Sequence, residues 1–518
     1  MSNQNSVKPD EERRSVKTAL KSKTKIKKLI AMKRINLLTI ALIAVAVLGL
    51  SVTGCKKNPG IGQDQAGDFN KSSSAFTDSR TPPATQATIP NVISSNLTLT
   101  TANEWILDGP TFVTNGATLT INPGVFVRGR KTSTSGNPSF LIVTRGAKLI
   151  ANGTQTTPIV FTSDQEPCNR AAGDWGGVVI LGNGRTNVAT TTSVEGIAAS
   201  YLPSSPFLSF PASIQYGGSD EADASNASSL KYVRIEFAGD ILQNDNELNG
   251  LTLGGVGSAT TLSNIQVSYG ADDGFEFFGG SVNAKYLISY GNNDDDFDFD
   301  QGYQGSIQFA VAVKLACASG YSSNPNGIEC NNVTSPVTTV NSRVTRPILS
   351  NITILGHSAS PGPIGSGSAG IGALFRAGTE FTFVNFLVGG FGVGVNYTAA
   401  ATSPAPVYRD GAIHAFTTPS TPGAPASVDT QTGGLTNDFL GLTSPFSLSC
   451  SCTSPSIPNF TSQSPVAAGT LPAVTHAGGV FPAGTMDSAG SAFQGAMGTS
   501  RWDLGTYWTS YNLQGNTY

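Results

Sequence analysis

Charge is scarce in this 518-residue chain: Asp, Glu, Lys and Arg make up only 13% of it, about half the usual quarter. With Thr, Ser, Asn, Val, Ile and Phe crowding the sequence instead, helical bundles and coiled coils are disfavoured and a strand-and-turn protein is expected. Histidine is rarer still. His357, His414 and His476 lie far apart and have no metal-ligand spacing. No apolar run is long enough for a comfortable membrane span of about 20 residues; the longest, Ile35–Leu50, is interrupted by Asn36 and Thr39. Gly254-Gly255-Val256-Gly257 is no phosphate loop, because it sits between strands with no helix to follow. The 59 Gly and 29 Pro stay below the roughly 25–30% share that marks low-complexity disorder.

What charge there is falls unevenly. Of 31 Lys and Arg and 34 Asp and Glu, 11 basic and 3 acidic residues lie within residues 1–34, so the chain from Cys55 onward carries a net charge of −11. So acidic a body argues against nucleic acid as a partner, since phosphate binding rests on clustered Lys and Arg.

Met32-Lys33-Arg34, the apolar run and then Ser51-Val52-Thr53-Gly54-Cys55 follow the order of a secretory signal. Val52-Thr53-Gly54-Cys55 resembles the lipobox of bacterial lipoproteins. That resemblance implies that residues 1–54 are a signal peptide, with Met32 the expected true start, and that Cys55 is acylated and becomes the first mature residue. Two or more acyl chains would anchor it stably to the membrane; an uncleaved anchor helix is the alternative. Residues 55–90 are polar and without apolar period, a flexible tether spanning roughly 30–35 Å. The Cys-Lys-Lys-Asn start resembles Bacteroidetes lipoproteins, implying a cell-envelope, outer-membrane location. Acidic export residues are absent just after Cys55, so periplasm-facing and surface-facing orientations both stay open.

Repeats begin near residue 92. Asn115-Gly116-Ala117-Thr118-Leu119-Thr120-Ile121 recurs 30 residues on as Arg145-Gly146-Ala147-Lys148-Leu149-Ile150. A tighter set opens at Leu230, Leu262, Ala284, Leu349 and Phe383, each reading as a short alternating strand. The spacings fit a coil of about 22 residues with insertions, and same-sense repeats stack their strands in parallel. The fold class expected is therefore all-β: a right-handed parallel β-helix over residues 91–397, with loop insertions and a C-terminal capping segment. Residues 398–518 are expected to hold Pro-rich loops, 401–482, and then the aromatic segment around Trp502 and Trp508 that docks on the solenoid.

Cys317 and Cys330, 13 residues apart, flank a Gly/Asn/Ser/Pro loop, and an exported chain makes a disulfide there the expectation, contributing on the order of 3 kcal/mol. The pairing of Cys168, Cys450 and Cys452 stays open.

From about Thr100 onward the body resembles a family of Bacteroidetes envelope lipoproteins with right-handed β-helix folds. The motifs are Ile106-Leu107-Asp108-Gly109, Asn122-Pro123-Gly124, Trp175-Gly176-Gly177-Val178-Val179-Ile180-Leu181-Gly182-Asn183, Val194-Glu195-Gly196-Ile197, Asn249-Gly250-Leu251-Thr252-Leu253-Gly254 and Ala271-Asp272-Asp273-Gly274-Phe275-Glu276-Phe277-Phe278-Gly279-Gly280. The resemblance implies fold and location and carries no catalytic activity.

The richest chemistry is acidic. Phe275-Glu276-Phe277 aligns with Phe297-Asp298-Phe299 at an offset of 22, placing Asp272 over Asp294, Asp273 over Asp295 and Glu276 over Asp298. Strand alternation sends the phenylalanines to one side and Glu276, Asp298 and Asp300 to the other. Parallel strands hold equivalent residues about 4.8 Å apart, where two carboxylates repel by roughly 3–4 kcal/mol at an effective dielectric of 20. The rows read as a solvated acidic face, as a Ca²⁺ site whose ligands are these six residues, or as paired catalytic carboxylates. Calcium fits because two metal–oxygen distances of about 2.3–2.6 Å span the stacking distance.

Parallel β-helices often host pectin-degrading enzymes, but a polygalacturonase pattern is incomplete. Asp272-Asp273 and Gly356-His357 lie 84 residues apart, and no Arg-x-Lys follows. For a Ca²⁺-dependent lyase, Arg376 is the only tempting base. The leading expectation is a non-enzymatic envelope module that binds glycan or protein partners; the alternative is a Ca²⁺-dependent polysaccharide lyase or a glycoside hydrolase.

Overall fold

In three of the repeated segments the apolar residues that pack into the central core fall at the first, fourth and sixth positions: Leu230, Val233 and Ile235; Leu262, Ile265 and Val267; Leu349, Ile352 and Ile354. A straight strand would bury every second residue. The three-residue step requires one backbone reversal, and it occurs at a left-handed residue inside every segment. Tyr232, Asn264, Tyr286, Phe309, Asn351, Asn385 and Asp410 have φ between 50° and 60° and stack in register along the axis. Each segment is therefore two short strands meeting at a corner, not one simple alternating strand. Asn at three of these corners suits the geometry, since its side chain tolerates the left-handed region.

The computed structural model describes residues 78–518, except 79, 189–190, 240, 244–245, 317–319, 333–342, 358–369, 398–405, 436–438, 449–457, 463–474, 477–478, 481–492, 504–507 and 517. All the described residues belong to the unit Phe69–Tyr518. The expected signal segment, Cys55 and most of the expected tether lie outside them. The described residues contain a 24-stranded sheet whose pairings are parallel, wound as a right-handed β-helix, the sense that parallel crossovers adopt. No helix among the described residues is long and apolar enough to cross a membrane.

Each coil has three sides. One side climbs through Gln86–Thr88, Glu104–Leu107, Phe126–Gly129 and Ile159–Ser163 into the second half of Ser229–Glu236. A second climbs through Leu97–Leu99, Thr118–Ile121 and Lys148–Asn152 into the first half of the same strand. The third side carries the acidic residues. It runs from Val92–Ile93 through Pro110–Val113, Phe140–Val143, Val178–Leu181, Leu251–Gly254, Phe275–Phe278, Phe297–Asp300 and Ile328–Cys330 to Ile371–Phe375. The ladder continues beyond Tyr397 through Val407–Thr421 and Val428–Thr432, so part of the Pro-rich stretch from Ala401 is coil rather than loop.

Stacked side chains fill the interior. Phe275 lies on Phe297 with ring centroids 5.2 Å apart, and Phe277 on Phe299 at 5.0 Å. Outside, the corner face exposes a second apolar column of Phe237, Tyr269, Ile288, Tyr290, Val311 and Val313, and the C-terminal segment covers it with Met497, Trp508, Tyr511 and Leu513. The segment lies lengthwise along that side. Gly495 donates to the Asn385 carbonyl (2.8 Å), Ser510 exchanges hydrogen bonds with the Gln266 amide (2.7 and 2.9 Å), and the Tyr518 hydroxyl reaches Glu236 (2.7 Å). Arg234 is fully buried beneath Tyr518, between Asp78 (2.7 Å) and Glu236 (2.8 Å).

The expected Cys317–Cys330 disulfide is not formed. Cys330 is a free, buried thiol, while Cys317 lies outside the described residues. The reason is alternation: Ile328 and Cys330 point into the core on either side of outward Glu329. A sulfur held inside the coil is out of reach of a loop outside it. Among the described residues Cys168 is disulfide-bonded, to a partner outside them. A thiol reagent should therefore modify Cys330 only after denaturation, as mass spectrometry of the native and unfolded protein would reveal. Cys330→Ala should fold normally, whereas loss of a real disulfide from that position would cost stability on the order of 3 kcal/mol.

Candidate metal centre

The turns entering two successive third-side strands supply Asp272-Asp273 and Asp294-Asp295, and the outward positions of the strands supply the rest. In register, Thr252, Glu276, Asp298 and Glu329 form one outward column. The two turns interlock through backbone donors: Asp295 N–H donates to Asp273 Oδ1 (2.8 Å), and Asn326 N–H donates to Asp295 Oδ1 (2.5 Å). Ser322 adds a hydroxyl to Asp294 (2.5 Å), and the Asn249 amide holds Glu276.

Behind the turns Lys314, fully buried, pairs with Asp296 (3.2 Å) and donates to the carbonyls of Asn292 and Asp294. This pins the 292–296 turn from its inner side. The ammonium's direct contacts are Asp296 and carbonyls, so its charge reaches Asp294 and Asp295 only through space.

Asp272, Asp273, Glu276, Asp294, Asp295, Asp298, Ser322 and Glu329 line a cavity of about 450 Å³ together with Glu195, Glu247, Ala271, Gly320, Ser323, Asn324 and Arg376. All six acids singled out in the sequence meet there. Nine carboxylates face one guanidinium, and that guanidinium, Arg376, is ion-paired with Glu329. The acids are not a solvated face: Asp273 is 7% exposed, and Glu276 and Asp295 are each 5%. Burial, and after it the charge of neighbouring carboxylates, pushes Asp272, Asp273, Glu276, Asp295 and Asp298 well above the usual carboxylate range. The same causes raise Glu195 to about 7; burial raises Asp300 to about 6 against the Gln301 N–H it accepts.

Three members of the cavity were not legible as site residues. Glu329 falls in the stretch expected to be a disulfide-closed loop, though Ile328-Glu329-Cys330 repeats the apolar-acid-apolar pattern of Phe275-Glu276-Phe277. Glu195 sits in a motif, Val194-Glu195-Gly196-Ile197, whose sequence assigns it no role, and Glu247 has no sequence signal.

Three sets of acids each bring ligand oxygens within 4.8 Å of one another: Asp272, Asp273 and Asp294; Asp273, Glu276 and Asp298; Asp295, Asp298 and Glu329. A cation contacting two oxygens at about 2.3–2.6 Å sits between atoms separated by that much. The donors are all oxygen, the preference of hard cations such as Ca²⁺. Asp298 Oδ1 is buried and has no hydrogen-bond partner, a lone pair free for a ligand. The residues present thus fit calcium.

An acidic cavity on the flank of a parallel β-helix defines the class of this protein. The chain belongs to the pectate-lyase-like β-helix family: the model described as "Pectate-lyase like beta helix domain" matches residues 91–421. Among solved structures, the crystal structure of pectate lyase Pel9A is similar at 12% identity, covering 70% of this chain and 81% of that one with a TM-score of 0.29. At that level the likeness carries no chemistry across. No curated protein matches the chain.

Raised carboxylate pKa values have a stability signature of definite sign. A group that holds its proton more tightly when folded stabilises the fold at acid pH and loses that contribution as pH rises through its folded value. In EDTA the melting temperature should accordingly fall from about pH 4, the range of unfolded carboxylates, through the values of about 6 and 7 set by Asp300 and Glu195. A flat or rising profile over that window, measured by thermal denaturation, would contradict the electrostatic description.

Proposed function

We propose that this chain is a lipid-anchored cell-envelope module whose acidic cavity takes up Ca²⁺ and, through it, binds carboxylate-bearing polysaccharide without cleaving it. The observation that carries the reading is the set of three acid clusters, each with oxygens within 4.8 Å, gathered in one cavity. Without cations a polyuronate would meet a surface of its own sign. Calcium takes six to eight oxygen ligands, so an ion held by three protein carboxylates has positions left for sugar carboxylate and hydroxyl oxygens. Binding rather than turnover is favoured by Arg376, the cation lining the cavity, because its guanidinium is engaged by Glu329. A group abstracting a proton from a sugar needs an unengaged lone pair.

The lipid anchor rests on the Val52-Thr53-Gly54-Cys55 motif. Cys55→Ser should release the protein from the membrane fraction or leave the signal uncleaved. Membrane retention with a normally processed N-terminus would rule the anchor out.

A second reading, a Ca²⁺-dependent lyase of the same polymers, is favoured by one observation: the Arg376 side chain is 45% exposed at the cavity wall, within reach of a bound chain. Acidic and neutral glycans incubated with and without Ca²⁺ separate the two. Binding without depolymerisation supports the module; calcium-dependent turnover abolished by Arg376→Ala establishes the lyase.

Cation uptake itself is read from the melting curve. A hundredfold excess of Ca²⁺ over Kd stabilises the folded state by about 2.7 kcal/mol, so millimolar Ca²⁺ should raise the melting temperature and EDTA should reverse the shift. Mg²⁺ should do less, because it demands a tighter octahedron and dehydrates reluctantly. Asp295→Asn combined with Glu276→Gln should blunt the shift and raise the melting temperature of the calcium-free protein by easing repulsion. A melting curve indifferent to both EDTA and the double substitution would eliminate the cation.

A further inference from the structure

We propose that the loop from Gly196 to Ile214 is a second membrane contact, which sets Phe207 and Phe210 into the lipid surface that holds the chain. The proposal rests on the lipid-anchor reading above and adds which face of the solenoid turns to the bilayer.

Thr192–Ser193 and Gln215–Tyr216 pair antiparallel, and the loop they close lies across the outer face of the early third-side strands. Val194, Ile197 and Ile214 are buried there in one cluster with Phe112, Phe140, Ile142, Val179 and Leu181. Tyr201 meets Phe140 edge-on at 6.3 Å, and the Thr114 hydroxyl donates to the Phe207 carbonyl (3.1 Å). The base of the loop is thereby fixed, while its tip faces outward. Phe207 is 45% exposed and Phe210 50%, in a stretch that also holds half-buried Leu202 and Leu208 and Pro203, Pro206 and Pro211. A lone exposed apolar residue carries no meaning; an apolar loop tip presenting two phenylalanines is a contact surface.

What the loop lacks identifies the partner. From Gly196 to Ser219 there is no Asp, Glu, Lys, Arg or His, on a body of net charge −11. Anionic headgroups repel so acidic a body, and this stretch approaches them without that penalty. Its polar groups are turned inward on the loop itself. Phe207 N–H donates to the Ser205 hydroxyl (3.2 Å), Leu208 N–H to the Ser205 carbonyl (3.3 Å) and Ser209 N–H to the Ser213 hydroxyl (3.0 Å). Pro206 and Pro211 have no N–H to satisfy. Backbone entering lipid must find its hydrogen bonds without water, whereas a loop that recognises sugar would hold hydroxyls and amides out to it.

The expected tether is long enough. Asp78 pairs with Arg234 in the fifth coil, and Thr114 follows a strand of the second, about 14 Å lower along the axis at about 4.8 Å per rung. The 22 residues from Lys56 to Thr77 extend to at most about 75 Å, so Cys55 and the tip can occupy the same bilayer.

Flotation of the purified mature chain carrying Cys55→Ser, with vesicles of phosphatidylcholine and phosphatidylethanolamine, tests the tip free of any acyl chain. Partial co-flotation is expected. Phe207→Ser combined with Phe210→Ser should lower the bound fraction roughly tenfold and leave the melting temperature unchanged. Absence of binding by the parent, or binding that survives the double substitution, would overturn the proposal. If the substitutions instead abolish self-association in sedimentation, or retention on polysaccharide, with vesicle binding unaltered, the rings serve a second copy or a sugar and the membrane contact is refuted. Because the double variant could misfold, the unaltered protein is also labelled in vesicles containing a photoactivatable lipid and then digested. Label on peptides within residues 199–214 is expected. Label confined to the region of Cys55 would uphold the anchor and refute the tip, while label on the loop alone would uphold the tip and refute the anchor.

Discussion

Everything in this molecule depends on the fixed vertical repeat of its parallel rungs. A hydrogen-bonded coil places each side chain about 4.8 Å from its counterpart one turn away, and whatever the sequence puts at a position is paired with its like above and below. Inside, that stacks phenylalanine on phenylalanine at 5.0–5.2 Å, the offset contact aromatic rings favour. Outside, it stacks glutamate on aspartate on glutamate, where two ionised neighbours at an effective dielectric of 20 repel by about 3–4 kcal/mol and the carboxyls hold their protons more tightly in consequence. One constraint yields both the strongest part of the core and the most frustrated part of the surface. The two are adjacent residues of the same strands.

The frustrated part persists because other contacts position it while neutralising it only in part. Lys314 spends its charge on Asp296 and on two carbonyls behind the turn, and backbone N–H groups of Asp295 and Asn326 tie the turns together. These interactions fix where the carboxylates sit while leaving their outward oxygens to each other. Such preorganised repulsion is costly in the empty state, and it makes the gain on introducing a positive ion correspondingly large.

How much of this could be read from the residues depended on whether the repeat survived intact. The 22-residue offset between Phe275-Glu276-Phe277 and Phe297-Asp298-Phe299 contains no insertion, so the register and the six stacked acids followed directly. The next turn up carries a loop, and the offset from Phe297 to Ile328 grows to 31 residues. That insertion hides Glu329 and makes Cys330 read as the edge of a loop although its neighbours alternate as a core strand. Glu195 and Glu247 reach the cavity from other turns, and no local pattern encodes such a meeting. The corners were visible only in part: Asn264, Asn351 and Asn385 suit a left-handed backbone, but Tyr232, Tyr286 and Phe309 adopt the same geometry because the stack around them imposes it.

The lengthwise C-terminal segment changes what kind of object the solenoid is. A stack of coils touching only their neighbours is quasi-one-dimensional, and its ends can fray like the teeth of a zipper. Here the Asn516 side chain accepts from the Asp78 backbone, 438 positions away in sequence, while Gly495 and Ala496 grip the late coils at Asn385 and Thr353. The coils from Phe126 to Asn385 are thus covered by a single strap, and those beneath it cannot separate without breaking contacts that belong to distant rungs. The cost is topological, since contacts of such sequence separation form slowly. The return is cooperativity: an array that would otherwise lose its coils one at a time resists as a unit.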